Sequence, residues 1–119
     1  MRTEIFDCPA LDLNVFREDD GSLTWRGLYK GVPIKDVMPV GGECIILLDP
    51  DAGKQPVFKN LLRIGRGGYP RWLADLPASP DAFIDMRSER AGVSARTWSG
   101  YTIRIDPNSG RHLGQEFVK

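Results

Sequence analysis

Hydrophobic and polar positions alternate along this chain over short stretches, and turn-forming residues bound nearly every stretch. A period of two between such boundaries is the pattern of β-strands. No window of 12 residues keeps the helical spacing i, i+3, i+4, i+7 without an intervening Gly or Pro. The pattern predicts about ten strands, at 11–17, 22–28, 33–39, 43–49, 58–64, 70–74, 82–88, 93–98, 101–106 and 112–118.

The segments between these strands have the composition of tight turns. The segments 19–21, 41–42, 66–68 and 108–110 each contain glycine, which supplies the positive φ that hairpin turns need. The segment 76–81 contains two prolines, which cannot donate hydrogen bonds to a sheet, so we expect a linker there. The chain is thus predicted to be a single all-β domain over its full length, an antiparallel meander of short strands.

Parts of this meander repeat. Asn14 begins the sequence Asn-Val-Phe-Arg, and a turn and Trp25 follow it. Asn60 begins Asn-Leu-Leu-Arg, again followed by a turn and a tryptophan, Trp72. A third hairpin segment lies at 103–110. Trp25 and Trp72 are 47 residues apart, which is within the range of a four-stranded propeller blade.

The repeated segment resembles the blade hairpin of β-propeller proteins of the PQQ-like kind, whose pattern is apolar–x–apolar–Asp–x–x–x–Gly–x–x–x–Trp. The resemblance implies about two and a half blade-like units, at 11–29, 32–75 and 82–118. The chain departs from the pattern at Gly65, which stands where Asp is expected, and after Gly110, where no tryptophan follows.

Two and a half blades cannot close a ring, because propellers use four to eight. The sheets are therefore expected to pack as a compact β-sandwich or half-barrel, to complete a ring with other copies, or to offer open edges to a partner. The stretch from Trp98 to the C-terminus is also similar to the ending of small uncharacterised bacterial all-β proteins. That second likeness implies no activity.

The charge balance narrows the classes of partner. Sixteen Lys and Arg balance sixteen Asp and Glu, which argues against nucleic acids and membrane surfaces as partners, since both favour basic proteins. Residues 1–51 nevertheless hold five basic and ten acidic side chains, whereas residues 52–119 hold eleven and six. The two halves can balance each other within the fold, or they can steer a charged partner or a second copy.

The cysteines and the apolar runs bear on compartment and cofactors. The N-terminus shows no export signal, and the longest apolar run, Cys44 to Leu48, is too short to span a membrane. We therefore expect a cytoplasmic protein with Cys8 and Cys44 as reduced thiols, Cys44 in the core. With His112 as the single histidine, no metal or other cofactor is expected.

Catalytic motifs are missing from the sequence, which contains no nucleophile elbow and no phosphate-binding loop. Asp49 and Asp51 faintly match the start of a calcium loop, but Asn60 stands where the bidentate Glu would be, so a plain turn is expected. The protein is accordingly predicted not to be an enzyme.

Aromatic side chains are candidates for binding. Trp25 and Trp72 are expected in the core. Trp98 and Tyr101 flank a predicted two-residue turn, Ser99-Gly100, across which they would face each other. That pair would either stabilise the hairpin or form a platform for a ligand or partner.

A basic segment offers a second group of candidates. From Lys54 to Arg71 the chain carries cations and no acid. The residues singled out for binding here are Arg63, Arg66, Tyr69 and Arg71. They would offset the acidic half of the chain or contact a charged partner, whereas nucleic-acid binding is disfavoured because no recognition motif accompanies them.

Taken together, these features predict a small non-enzymatic binding module whose first expected partner is a protein. One alternative is a homo-oligomer that completes a propeller-like ring, with a small-ligand site where the Trp98–Tyr101 turn meets the basic hairpin. Another is an immunity-like protein that neutralises a toxin.

Overall fold

The computed structural model describes residues 1–90 and 92–118 of the chain. Thirteen strands and two short 3-10 turns, Pro9–Leu11 and Pro50–Ala52, lie in this part. None of its helices is long and apolar enough to cross a membrane. The strands are β1 (Thr3–Cys8), β2 (Leu13–Arg17), β3 (Leu23–Arg26), β4 (Leu28–Tyr29), β5 (Val32–Val40), β6 (Glu43–Leu48), β7 (Val57–Phe58), β8 (Leu61–Ile64), β9 (Pro70–Leu73), β10 (Asp81–Glu89), β11 (Gly92–Thr97), β12 (Tyr101–Ile105) and β13 (His112–Phe117).

The strands form three sheets. The first has the order β1-β2-β3, the middle sheet β4-β5-β6-β8-β9, and the third β13-β12-β11-β10-β7. Neighbouring strands are antiparallel, with the exception of β7, which pairs in parallel with the start of β10. The predicted all-β, antiparallel meander is confirmed.

Strand β6 shows how the sheets pack. Its residues Cys44, Ile45, Ile46, Leu47 and Leu48 are all buried. Because successive side chains of a strand point to opposite faces, Cys44, Ile46 and Leu48 pack with the first sheet, whereas Ile45 and Leu47 pack with the third. The middle sheet is therefore covered on both faces, and the compact packing matches the sandwich or half-barrel alternative.

Three strand predictions differ from the structure. The expected strand at 22–28 is divided at Gly27, where φ is +130°, into β3 of the first sheet and β4 of the middle sheet. Strand β1 was not expected, although its buried residues Phe6 and Cys8 alternate with half-buried ones. The expected strand at 58–64 is divided into β7 and β8 by the buried residue Asn60. The amide nitrogen of Asn60 donates to the carbonyls of Leu48 at 2.9 Å and Phe83 at 2.7 Å, and its oxygen accepts from the Phe83 N–H at 2.8 Å. These bonds join the middle sheet to the third.

The tryptophans and cysteines expected inside lie in or against the two cores. Trp72 is buried in the second cluster, and Trp25 is half-buried against the first. Each indole N–H donates to a backbone carbonyl, as buried tryptophans usually do. Cys8 and Cys44 are buried free thiols, and burial raises the pKa of both, that of Cys44 to about 12. Neither thiol has the low pKa of a reactive cysteine.

Candidate functional site

The basic candidates lie together on the β8–β9 hairpin, and two of them converge on Glu43 at the start of β6. Arg63 Nε donates to Glu43 Oε1 at 2.8 Å. Arg71 donates to Glu43 Oε2 through Nε at 2.8 Å and Nη2 at 2.6 Å. The hydrogen bond from Arg71 lowers the pKa of the Glu43 carboxyl most; burial opposes this effect, and the hydrogen bond from Arg63 lowers the pKa further.

Arg63 has further partners inside the molecule. Its Nη1 donates to the Pro107 carbonyl at 2.8 Å and its Nη2 to the Val40 carbonyl at 3.5 Å. The side chain of Arg63 is only 12% exposed. Pro107 belongs to the turn between β12 and β13, so Arg63 connects the middle sheet to one end of the third. This guanidinium is used within the fold.

The other two residues of this hairpin are more open. Arg66 Nε donates to the Gly42 carbonyl at 3.3 Å, and Tyr69 is 80% exposed. The charges of Arg63 and Arg71 thus offset an acid from the N-terminal half of the chain. Tyr69 and Leu73 are the large apolar side chains that this hairpin exposes among the described residues.

Trp98 lies in the turn between β11 and β12, and Tyr101 is the first residue of β12. Both lie at the end of β12 that is opposite to Pro107. The register pairs Arg96 with Thr102, which leaves a loop of three residues, 98–100, beyond the pair that Thr97 and Tyr101 would form. The predicted two-residue turn at Ser99-Gly100 is therefore wrong, and Trp98 does not lie opposite Tyr101. Three-residue hairpin loops favour a glycine at their last position, as the φ of +105° at Gly100 illustrates.

Tyr101 has a different aromatic partner. It is paired in register with Phe117 of β13, and the two rings meet edge to face with centroids 5.1 Å apart. Because β12 advances about 3.3 Å per residue, its four steps place Tyr101 roughly 13 Å from Ile105 and the turn that Arg63 contacts. The two groups of sequence candidates do not form one site.

The Trp98 turn and the end of β13 form one surface, which we call the aromatic patch: Trp98, Tyr101, Phe117 and Val118. The Val118 N–H donates to the Gly100 carbonyl at 2.7 Å, which fixes the two segments together. Trp98 is 68% exposed and Phe117 55%. Phe117 and Val118 were not singled out from the sequence, because only the strand pairing brings them to Trp98.

A buried carboxylate holds this turn in place. Asp81, at the start of β10, accepts from the Ser99 N–H at 3.0 Å and the Ser99 hydroxyl at 2.6 Å. The Trp98 N–H donates to the Ala82 carbonyl at 2.9 Å. The loop backbone is thus well bonded, whereas the indole of Trp98 extends into solvent. Asp81 is a positioning residue that sequence reasoning missed, and its single signal is an Asp at the end of the proline-rich linker.

Two clefts adjoin each other beside Phe58. The first, about 250 Å³, has Trp98 on one wall and Pro50 and Pro80 among its other lining residues. The second, about 460 Å³, is lined mainly by apolar side chains and is named here the Leu62 cleft. Gln55 and Phe58 line both. These clefts extend the accessible surface from the aromatic patch to the middle sheet.

Two further titratable groups of the described residues, Asp36 and Asp49, lie outside these clefts. Burial raises the pKa of the Asp36 carboxyl on β5, but Asp36 lines neither of the two clefts. The Asp49 carboxylate accepts from the Asp51 N–H at 2.9 Å and caps a 3-10 turn, in agreement with the plain turn expected. Within residues 1–90 and 92–118, no three His, Cys, Asp or Glu side chains are grouped so that they could hold a metal ion.

Comparison with known proteins gives one match. Residues 30–117 match a family described as Domain of unknown function (DUF7957). No curated protein and no solved structure matches the chain. The matched segment contains β5 to β13, including Trp98, Phe117 and most residues that line the two clefts, but not β1 to β3. The match spans well over half of the 119 residues, so the chain belongs to the DUF7957 family.

Proposed function

We propose that this protein is a non-enzymatic binding module and that it takes an extended segment of a protein partner along β13 and the aromatic patch. The observation that carries the proposal is the exposure of Phe117, at the end of the edge strand β13, and of Trp98, in the turn that is hydrogen-bonded to that end. Contiguous exposed apolar residues on soluble proteins commonly mark sites of protein association.

Trp98 has the features of an interface anchor. Tryptophan is enriched among the residues that dominate binding energy, because its large surface is buried at low entropic cost. Covering the exposed two thirds of this side chain would contribute about 3 kcal/mol before the costs of association are subtracted. The hydrogen bonds that Ser99 donates to Asp81 fix the loop before a partner binds, so little further ordering of its backbone is needed on binding.

Strand β13 supplies the polar part of the same surface. Within the described residues it pairs with β12 on one side and with no strand on the other, and its side chains are mostly exposed. Such an edge presents backbone N–H and C=O groups to an incoming strand. A partner strand next to β13 would carry side chains over Phe117 towards Trp98.

The test compares exposed aromatic residues at two places, the aromatic patch and the β8–β9 hairpin. The protein, immobilised, is used to capture partners from native lysate in parallel with Trp98→Ala, Phe117→Ser and Tyr69→Ala. We expect a stoichiometric partner that the wild type and Tyr69→Ala retain and that both patch variants lose. Loss with Tyr69→Ala alone would move the site to the β8–β9 hairpin, and capture of no stoichiometric partner would contradict the proposal.

Self-association is a second candidate, favoured by the same edge strand. Leu113 and Phe117 of β13 are both more than half exposed, so pairing of β13 with β13 of a second copy would bury apolar surface as well as backbone groups. Light scattering on a size-exclusion column over a range of concentrations distinguishes the two. A dimer that Phe117→Ser dissociates would favour self-association, whereas a monomer at high micromolar concentration would exclude it.

A further inference from the structure

The Leu62 cleft lies on the face of the middle sheet that the first sheet covers incompletely. Leu62 on β8 and Leu73 on the edge strand β9 are paired in register, so their side chains share this face. Leu62 is 1% exposed, whereas Leu73 is 47% exposed. Leu62 belongs to the core cluster that includes buried residues of the first sheet, whereas Leu73 on the β9 side is open. The resulting volume, about 460 Å³, is within the range of small-molecule sites.

The charges around this cleft have one sign. Lys30 and Lys59 line it, and no carboxylate does so among the residues that the structure describes. Lys59 Nζ is 2.8 Å from the Asp75 carboxylate, so its charge is already shared. Lys30 makes no ion pair with any described residue, and its Nζ lies 5.5 Å from the centroid of the Tyr29 ring. The cleft therefore offers one ammonium group that has no anionic partner.

The position of Lys30 in the backbone is unusual for its residue type. Lys30 and Gly31 form the two-residue turn between β4 and β5, with φ values of 50° and 81°. A two-residue hairpin turn with positive φ at both positions favours Asn, Asp or Gly, since other L-residues are strained by roughly 1 kcal/mol there. A lysine at this position places its ammonium group at the cleft at some cost in conformational energy.

We propose that the Leu62 cleft binds a small monocarboxylate with an apolar body, such as a medium-chain fatty acid. The apolar body would lie against Leu62, Leu73 and Phe58, and the carboxylate would accept hydrogen bonds from Lys30. One unpaired cation favours a monoanion over a dianion such as a phosphate monoester. This site is separate from the aromatic patch, so the proposal stands or falls independently of the protein partner.

The probe is decanoate at submicellar concentration, with decanol as its neutral counterpart, and binding is followed by amide chemical shifts of the 15N-labelled protein. We expect saturable shifts around Lys30 and Leu73, and at least about tenfold weaker binding of decanol. Lys30→Met should weaken the binding of decanoate by at least about tenfold as well, and Lys30→Arg should retain most of the wild-type affinity. Shifts confined to the aromatic patch, or equal affinity for the two probes, would overturn the proposal.

A pair of matched variants tests the apolar wall. Leu73→Glu places a carboxylate in the cleft and should abolish decanoate binding, whereas Tyr69→Glu changes an exposed residue of the same hairpin outside the cleft and should leave the affinity within a factor of two. Both residues are exposed, and an unchanged overall amide spectrum establishes that each variant is folded. Decanoate binding to Leu73→Glu with wild-type affinity, or no binding to the wild type at millimolar probe, would refute the site.

Discussion

Side chains of similar binding potential lie at the two ends of the third sheet, and the molecule uses them in opposite ways. At the end near Pro107, Arg63 contacts Glu43 and two backbone carbonyls, and little of it reaches solvent. At the other end, the backbone around Trp98 is held by Asp81, while the indole itself is exposed. The first end holds two sheets together, and the second presents a surface.

The role of a side chain depends on whether its contacts are made within the fold or are left to solvent. A guanidinium surrounded by internal acceptors has few donors left for a ligand, and its removal would take a hydrogen bond from each of those acceptors. An exposed indole on a fixed loop contributes little to folding and retains its full surface for a partner. The variants below test this division, in order of decreasing expected effect on stability.

Arg63→Ala should lower the free energy of unfolding by about 3 kcal/mol, because the change removes the less exposed of the two arginine partners of Glu43 and one of the two donors to the Pro107 carbonyl. Arg71→Ala removes the exposed partner of the same carboxylate and should cost less than about 1 kcal/mol. Urea unfolding at pH 7 measures both. Equal losses for the two variants would mean that burial does not separate their roles.

Gly100→Val should cost about 2 kcal/mol, because a branched side chain at φ +105° is strained and its Cβ would lie 3.2 Å from the Val118 carbonyl oxygen. Gly21→Val is the control, since Gly21 also has a positive φ but nothing within 4 Å of its Cβ position, so strain alone should cost about 1 kcal/mol. Thermal unfolding of both variants gives the difference. A smaller loss at position 100 than at position 21 would contradict the close approach to β13.

The ion pairs of Glu43 should make the free energy of unfolding depend on pH. The folded state lowers the pKa of Glu43 below its ordinary value of 4.5, so the stabilisation is present above pH 4.5 and is lost as pH falls through the lower folded pKa. The stability difference between the wild type and Glu43→Gln should therefore shrink as urea unfolding is repeated from pH 6 towards pH 3. A difference that stays constant would show that the charge of Glu43 is not what stabilises this end.

Asp36 provides a control, because its contribution to the free energy of unfolding should change with pH in the opposite direction. Burial raises the pKa of its carboxyl from 3.8, so its contribution to stability is greatest below pH 3.8 and is lost as pH rises through the folded pKa. Asp36→Asn should therefore gain stability relative to the wild type between pH 3.5 and pH 7 in the same experiment. A relative loss over that range would contradict the inferred effect of burial on Asp36.

Trp98→Ala should have the smallest effect on folding, below about 0.5 kcal/mol, because the indole is mostly in solvent. The same variant should lose the protein partner, which separates binding from stability. Urea unfolding measures the first quantity and the capture experiment the second. A loss of more than about 2 kcal/mol would place the indole among the residues that support the fold.

Much of the strand pattern could be predicted from local sequence. The apolar run from Cys44 to Leu48 is buried on both sides, and the turns at 41–42 and 108–110 carry the glycines that their backbones need. The division at Asn60 could not be predicted, because the groups that satisfy its amide belong to Leu48 and Phe83. Those residues are 12 and 23 positions away.

The candidate site was predictable only in part, and for the same reason. Trp98 stood out as an aromatic residue beside a turn, but its exposure depends on how Asp81 holds the loop. Phe117 reaches the patch through strand pairing, and Lys30 lines a cleft closed by residues up to 43 positions along the chain. Register and layer contacts of this kind are not encoded in the period of any single strand.

The family match begins at residue 30, whereas the first sheet ends with Arg26. The shared segment thus includes the strand β6 but not the layer that covers Cys44, Ile46 and Leu48. Any polypeptide limited to that segment would leave a flat hydrophobic wall in water, which favours aggregation or recruitment of another sheet. The N-terminal hairpins serve in this sense as the cover of a hydrophobic face that the shared segment carries, whereas the Trp98 loop lies wholly within that segment.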